Sequence, residues 1–245
     1  MTLPKGELVP MKKMSALLAI AAIVSVSAAN AAEYGKVYNG TEPVDTNLII
    51  NSEDGTGCGT LNLNADGSYE NGFCWQYGGL VAPYYGAFAE CYSANGNVCS
   101  VVLDLTQIGL HAGQTADVYV WEDGGGAPGN VLGVVTGYLP SGIAFWPSLS
   151  RHVADVSVAV AGNFWAGYWG NWPNGACAWY VGADLDGFGG CPYTNIAPGI
   201  GYPTGWQNAS IVWGPTQALG IGVELGDGPV PTENTTWGAI KNLYN

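Results

Sequence analysis

Six cysteines downstream of an export signal constrain the fold of this chain more than any other feature. Residues 1–31 read as a cleavable signal peptide. Lys12 and Lys13 form the positive start, Ala16 to Val26 an apolar stretch too short to span a bilayer, and Ala29-Asn30-Ala31 the small residues of a cleavage site. Lys5-Gly6-Glu7 is encoded by purine-rich codons just ahead of Met11, so Met11 is the expected start and Ala32 the first mature residue. All six cysteines then fold in an oxidising compartment, where an even number reads as disulfides. Sequence proximity pairs Cys58 with Cys74, Cys91 with Cys99 and Cys177 with Cys191. No cysteine follows the apolar stretch closely, so no lipid anchor is expected. No later apolar run approaches the roughly 20 residues of a membrane helix, so no membrane span is expected.

The middle pairing makes a register prediction. Ala94-Asn95-Gly96 reads as a hairpin turn. A three-residue loop with Gly96 in the left-handed region sets Cys91 opposite Cys99 and gathers Ala87, Ala89, Val101 and Leu103 on one apolar face.

The rest of the mature chain punctuates short apolar runs with Gly, Asn, Pro and Asp every ten residues or so. Strands are expected at 47–50, 73–77, 86–92, 98–108, 115–121, 131–136, 154–160, 163–170, 178–183, 209–213 and 218–225. Leu219, Ile221, Val223 and Leu225 alternate with Ala218, Gly220, Gly222 and Glu224, the period of a half-buried strand. The fold class predicted is all-β, a two-sheet antiparallel β-sandwich of jelly-roll type spanning 58–225. A polar lead-in covers 32–57 and a Gly/Pro linker 226–234. A short amphipathic helix is expected over 235–245, with Trp237, Ile240 and Tyr244 on one face. That helix either docks on its own domain or serves as a tag for surface attachment.

DGSYENGFCW (66–75) and DVYVWEDGGGAPGNVL (117–132) resemble segments of secreted bacterial β-sandwich modules, many of unassigned function. The ending TTWGAIKNLY resembles tails of some Gram-negative secreted proteins. These resemblances imply a fold and a location and carry no catalytic residues.

Charge removes several classes of function. After residue 31 three basic residues, Lys36, Arg151 and Lys241, stand against 18 acidic ones. Nucleic acid needs clustered cations to neutralise its phosphates, so it is not an expected partner. Neutral polysaccharides, cell-surface components and divalent cations remain.

Three constellations carry candidate chemistry. Trp165, Trp169 and Trp172, with Asn171 and Tyr180, form the densest aromatic stretch, and exposed tryptophans beside amides suit neutral sugars. The competing reading is that these rings fill the core. Asp184 and Asp186 offer two carboxylates at a strand end, and Asn62, Asn64 and Asp66 offer oxygens at alternate positions before Gly67. Each is a calcium candidate, although Phe73 stands where an EF-hand loop needs its bidentate Glu. Catalysis is not expected. His111 and His152 lack a nucleophile motif and read as surface residues, and no G-x-S-x-G occurs. In the hairpin register Glu90 and Asp104 share the exposed face but lie roughly 13 Å apart along the strands, beyond glycosidase spacing. A non-local carboxylate pair such as Glu70 with Asp184 stays open.

The favoured function is a secreted non-catalytic module binding neutral carbohydrate. The alternatives are an adhesive or structural surface protein attached through its C-terminal helix, and a secreted glycoside hydrolase-like enzyme.

Overall fold

The computed structural model describes residues 33–36, 38, 44–50, 58–76, 86–109, 113–170, 172, 177–199 and 202–226. The segments expected as a signal peptide (1–31) and as a C-terminal helix (235–245), residues 227–234 of the expected linker, His111 and Asn171 lie outside these residues. The described part is all-β. It contains β1 (Glu33–Lys36), β2 (Asn47–Ile50), β3 (Thr60–Leu63), β4 (Asn71–Gln76), β5 (Ala87–Gln107), β6 (Ala116–Asp123) and β7 (Pro128–Tyr138). These are followed by β8 (Ala144–Phe145), β9 (Ser148–Trp169), β10 (Tyr180–Asp184), β11 (Tyr193–Ile196), β12 (Gly205–Asn208), α1 (Ala209–Val212), β13 (Ala218–Leu219) and β14 (Ile221–Gly226).

Two strands organise everything else. β5 and β9 run antiparallel from Ala87↔Trp169 to Leu105↔Ser150, over 21 and 22 residues. At one end β6 and then β7 add beside β9, while β11 and β12 add beside β5. At the other end β14 and β3 add beside β5, and β2 runs parallel to the start of β9. β10, with β4, β1 and β13, attaches where β14 leaves off, through Leu105 and Thr106.

This corrects the expected two-sheet jelly roll. A jelly roll folds two separate sheets. Here all fourteen described strands share one hydrogen-bonded network, with a main path β1-β4-β10-β5-β9-β6-β7. The cause is strand length, since β5 and β9 pass unbroken through both halves.

The hairpin at Asn95-Gly96 is absent for the same reason. An Asn-Gly pair makes a hairpin when the flanking segments pair with each other. Here β9 supplies a better partner, with Asn95 opposite Ala161 and Ala94 opposite Gly162. Gly162 takes a positive φ of 82°, and its N–H donates to Asn95 Oδ1 at 3.1 Å. The glycines let the ribbon continue where one strand alone would turn. Ala89 and Val101 therefore face Gly167 and Ala154 rather than each other.

All three expected cysteine pairings are overturned. The bridges are Cys58–Cys99, Cys74–Cys177 and Cys91–Cys191. Cys91 and Cys99 belong to one continuous strand and cannot meet, so each bridges outward. No cysteine is free.

The main core lies between the sheet faces. Phe88, Leu103 and Leu105 of β5, Val158 and Phe164 of β9, Val181 of β10 and Ile221 and Val223 of β14 pack there. The strand positions read over 218–225 are recovered as β13 and β14, but not the half-buried alternation: residues 218–224 are buried on both faces and Leu225 is only partly buried. Residues 209–213, expected as a strand, form α1. The Asn208 side chain accepts the Ser210 N–H at 2.9 Å, and this N-cap outweighs the strand preference of Ile211 and Val212.

Candidate functional site

β5 has one edge covered by β9 along nearly its whole length. Its other edge is shared. β11 pairs with Ala87–Ala89, and β14 begins at Asn97. Between them, among the described residues, no strand pairs with that edge. Backbone groups in such a gap need other partners. Cys91 N–H donates to Cys191 Sγ at 2.9 Å, and Cys91 O accepts from Asn64 Nδ2 at 3.2 Å. The gap opens into a cleft of about 550 Å³, within the range of small-ligand sites.

One side of the cleft is aromatic. Trp165 packs edge-on against Tyr193 with ring centroids 4.8 Å apart. The apolar surface extends beneath and beyond them. Trp121 stacks on Tyr119 at 4.9 Å and meets Trp206 edge-on at 5.4 Å, in one cluster with Trp165. Four strands place these rings, since Trp165 of β9 lies opposite Trp121 of β6, Tyr193 opens β11 and Trp206 lies on β12.

The other side is polar. Asn64, Ser93, Asp123, Asn163 and Asn208 line it, and no cationic side chain does. Asp123 is fixed in place, since Oδ1 accepts from Trp165 Nε1 and from Gly126 N–H, both at 2.9 Å. The Trp165 hydrogen bond, then those of the turn amides, hold its carboxyl below the ordinary range, so it is ionised at neutral pH. Asn208 caps α1, which fixes its backbone at the rim.

The structure gathers only part of the expected aromatic site. Trp165 lines the cleft, but at 2% exposure it is a wall and not an open platform. Tyr193, half-buried, is the ring with surface left to offer. Trp169 is half-buried opposite Ala87 and is not part of the lining. Trp172 and Tyr180 belong to the core, where Trp172 Nε1 donates to Thr115 O at 2.8 Å and its ring meets Trp179 edge-on. Tyr193, Asn163, Asp123, Asn208 and Ser93 were not foreseen. Their only signal was the spacing of Tyr193 two residues after Cys191, which means nothing until the bridge to Cys91 is known.

The two calcium candidates converge. Asp66 N–H donates to Asp184 Oδ2 at 2.8 Å, although the residues are 118 apart in sequence. Carboxylate oxygens of Glu70, Asp184 and Asp186 lie within 4.8 Å of one another, a set of hard oxygens that could hold a divalent cation. The same oxygens brace the loop. Asp184 Oδ1 accepts the Asp186 and Gly187 amides, and Glu70 Oε2 accepts that of Leu185. Burial pushes the Asp184 carboxyl above its usual range. Asn62 and Asn64 are turned elsewhere, with Asn62 Nδ2 donating to Thr60 O and Asn64 Nδ2 to Glu90. Asn64 thus presents its amide nitrogen to Glu90 and to Cys91 O.

Glu90 and Asp104, expected on an exposed face, are both fully buried. Asp104 holds Arg151 through two oxygens at 2.8 and 2.7 Å and accepts the Tyr69 hydroxyl. His152, expected at the surface, is also buried, 2.7 Å from Ser150 Oγ. Ser150 Oγ accepts the Ala144 N–H, and at 1% exposure this pair does not meet solvent.

Comparison with protein-family models, with curated proteins and with solved structures gives no match for this chain. Three disulfides fit an oxidising compartment outside the cytoplasm. Among the described residues no helix is long and apolar enough to cross a membrane.

Proposed function

We propose that this protein is a secreted, non-catalytic binding module that holds a neutral carbohydrate in the cleft at the β5 gap. The observation that carries the reading is the make-up of that cleft. The aromatic rings of Trp165 and Tyr193 share the lining with amide and hydroxyl side chains and the Asp123 carboxylate, with no cation. Sugars present an apolar C–H face and a rim of hydroxyls, and this pairing of surfaces complements both. The volume suits a short stretch of a longer chain. Tyr119 and Trp206 continue the aromatic surface beyond the cleft.

Depletion assays on insoluble cellulose, xylan and β-1,3-glucan test this reading. Retention on at least one polymer, lost in Tyr193→Ala and weakened in Asn163→Ala, supports it. No retention on any of them, or retention unchanged in both variants, overturns it.

A further inference from the structure

We propose that Glu90 is the positioning residue of the cleft, a buried carboxylate that clamps one cleft wall to β5 and releases it on protonation. The effect on binding rests on the carbohydrate reading above, whereas the clamp itself does not.

Glu90 has no exposed surface. Its Oε2 accepts from Asn64 Nδ2 and from Cys191 N–H, both at 2.9 Å, and its Oε1 accepts the Leu219 N–H at 2.7 Å. The three donors come from three segments distant in sequence: the turn after β3, the approach to β11, and β13. Two of them, Asn64 and Cys191, line the cleft. Gly190 lies between them, and a Cβ there would sit 2.6 Å from Glu90 Oε2, so the carboxylate lies directly behind the wall.

All three partners donate. An ionised carboxylate accepts from every one of them and is acceptor-only. A protonated one keeps acceptor capacity but adds an O–H that finds no acceptor among these three donors, so the set is no longer matched. The two backbone amides are fixed by their segments, and Asn64 is the side chain that can turn. Turning it offers Oδ1 to Glu90 and withdraws Nδ2 from Cys91 O, which loosens the wall on the β5 side.

The surroundings put this change near neutrality. Burial pushes the Glu90 carboxyl up to about 7, against the pull of its three hydrogen bonds. Asp184, reaching it from β10, raises it further. Tyr92 on the same strand stays protonated through burial. Asp104 lies further along β5 and is paired with Arg151, so that cation is committed elsewhere.

Amide NMR on the whole protein, from about pH 5 to about pH 8.5, tests the clamp without a ligand. The Asn64 side-chain amide and the Cys191 and Leu219 backbone amides should titrate together with one midpoint near 7. Glu90→Gln should abolish that titration. If Glu90→Gln does not fold, Asn64→Ala serves instead, and Cys191 and Leu219 should still titrate in it. Amides that do not move over this range, or that move with separate midpoints, overturn the proposal. On any polysaccharide that retains the wild type, affinity should change at least threefold between about pH 5.5 and about pH 8, and equal affinity overturns the link from clamp to cleft. Absence of retention on every polymer overturns the carbohydrate reading alone, because the amide titration still decides the clamp.

Discussion

Trp165 Nε1 and Asp123 Oδ1 meet at 2.9 Å in the cleft lining, joining the end of β6 to the C-terminal part of β9. This bond sets the angle of the indole and holds the turn at Gly126. Asp123→Ala is therefore expected to weaken polysaccharide retention by about tenfold. Asp123→Asn, which keeps an acceptor, should lose less. Binding isotherms with Trp fluorescence as a second readout check both.

Stability should depend on pH through Glu90. An unfolded glutamate titrates near ~4.3, whereas the folded group titrates at about 7. The folded state thus binds the proton more tightly, and stability is greatest below the unfolded value. It falls as pH rises from there to about 7. Asp184, also raised by burial, acts in the same direction. The Glu90 contribution is on the order of 3 kcal/mol across the window. Urea unfolding at several pH values should show the decline, and Glu90→Gln should flatten it.

Arg151 matters for what it leaves behind. Arg151→Met strands the carboxylate of Asp104, which has no exposed surface. Such a loss costs about 3–5 kcal/mol. The double variant Asp104→Leu with Arg151→Met should recover most of it, because no buried charge remains. A double-mutant cycle by denaturant unfolding measures the difference.

Gly167 is where β5 and β9 come closest. A Cβ there would lie 2.0 Å from Phe88 O and 2.8 Å from Ala89 Cα, both backbone atoms. No rotamer relieves that contact. Gly167→Ala should destabilise the fold by about 3 kcal/mol or more, whereas Gly113→Ala, with nothing within 4 Å but a positive φ, should cost only about 1 kcal/mol. Thermal unfolding of the pair separates crowding from backbone preference.

Peptide mapping without reduction should recover Cys58–Cys99, Cys74–Cys177 and Cys91–Cys191. A peptide linking Cys91 to Cys99 would refute the continuous β5.

What was legible in the sequence was local. The valines at 156, 158 and 160 give both strand and face, because side-chain period is set by the backbone alone. Over 218–225 the apolar run gives the strands but not the faces, since both sides are buried. β2 falls on residues 47–50 as expected. What failed was pairing. Asn95-Gly96 is a sound turn signal, and only the distant Ala161-Gly162 tells the chain to continue. The wrong turn then supports the wrong Cys91–Cys99 bridge and places Glu90 and Asp104 at the surface, while sequence proximity misleads for the other two bridges. The cleft was illegible for the same reason, since Tyr193, Asp123 and Asn64 become neighbours only once β5 has its true partners. The acidic segments at 66 and 184 were each noticed, but their meeting is a tertiary fact.

The bridges Cys74–Cys177 and Cys91–Cys191 span 103 and 100 residues and enclose nearly the same stretch of chain. A protease that cuts the exposed turn at Gly124–Gly126 breaks the polypeptide without dividing the molecule, because both bridges still join the two pieces. Nicked protein would run as a single species until reduced. Damage at this exposed turn is thus survivable for as long as the two bridges stay oxidised.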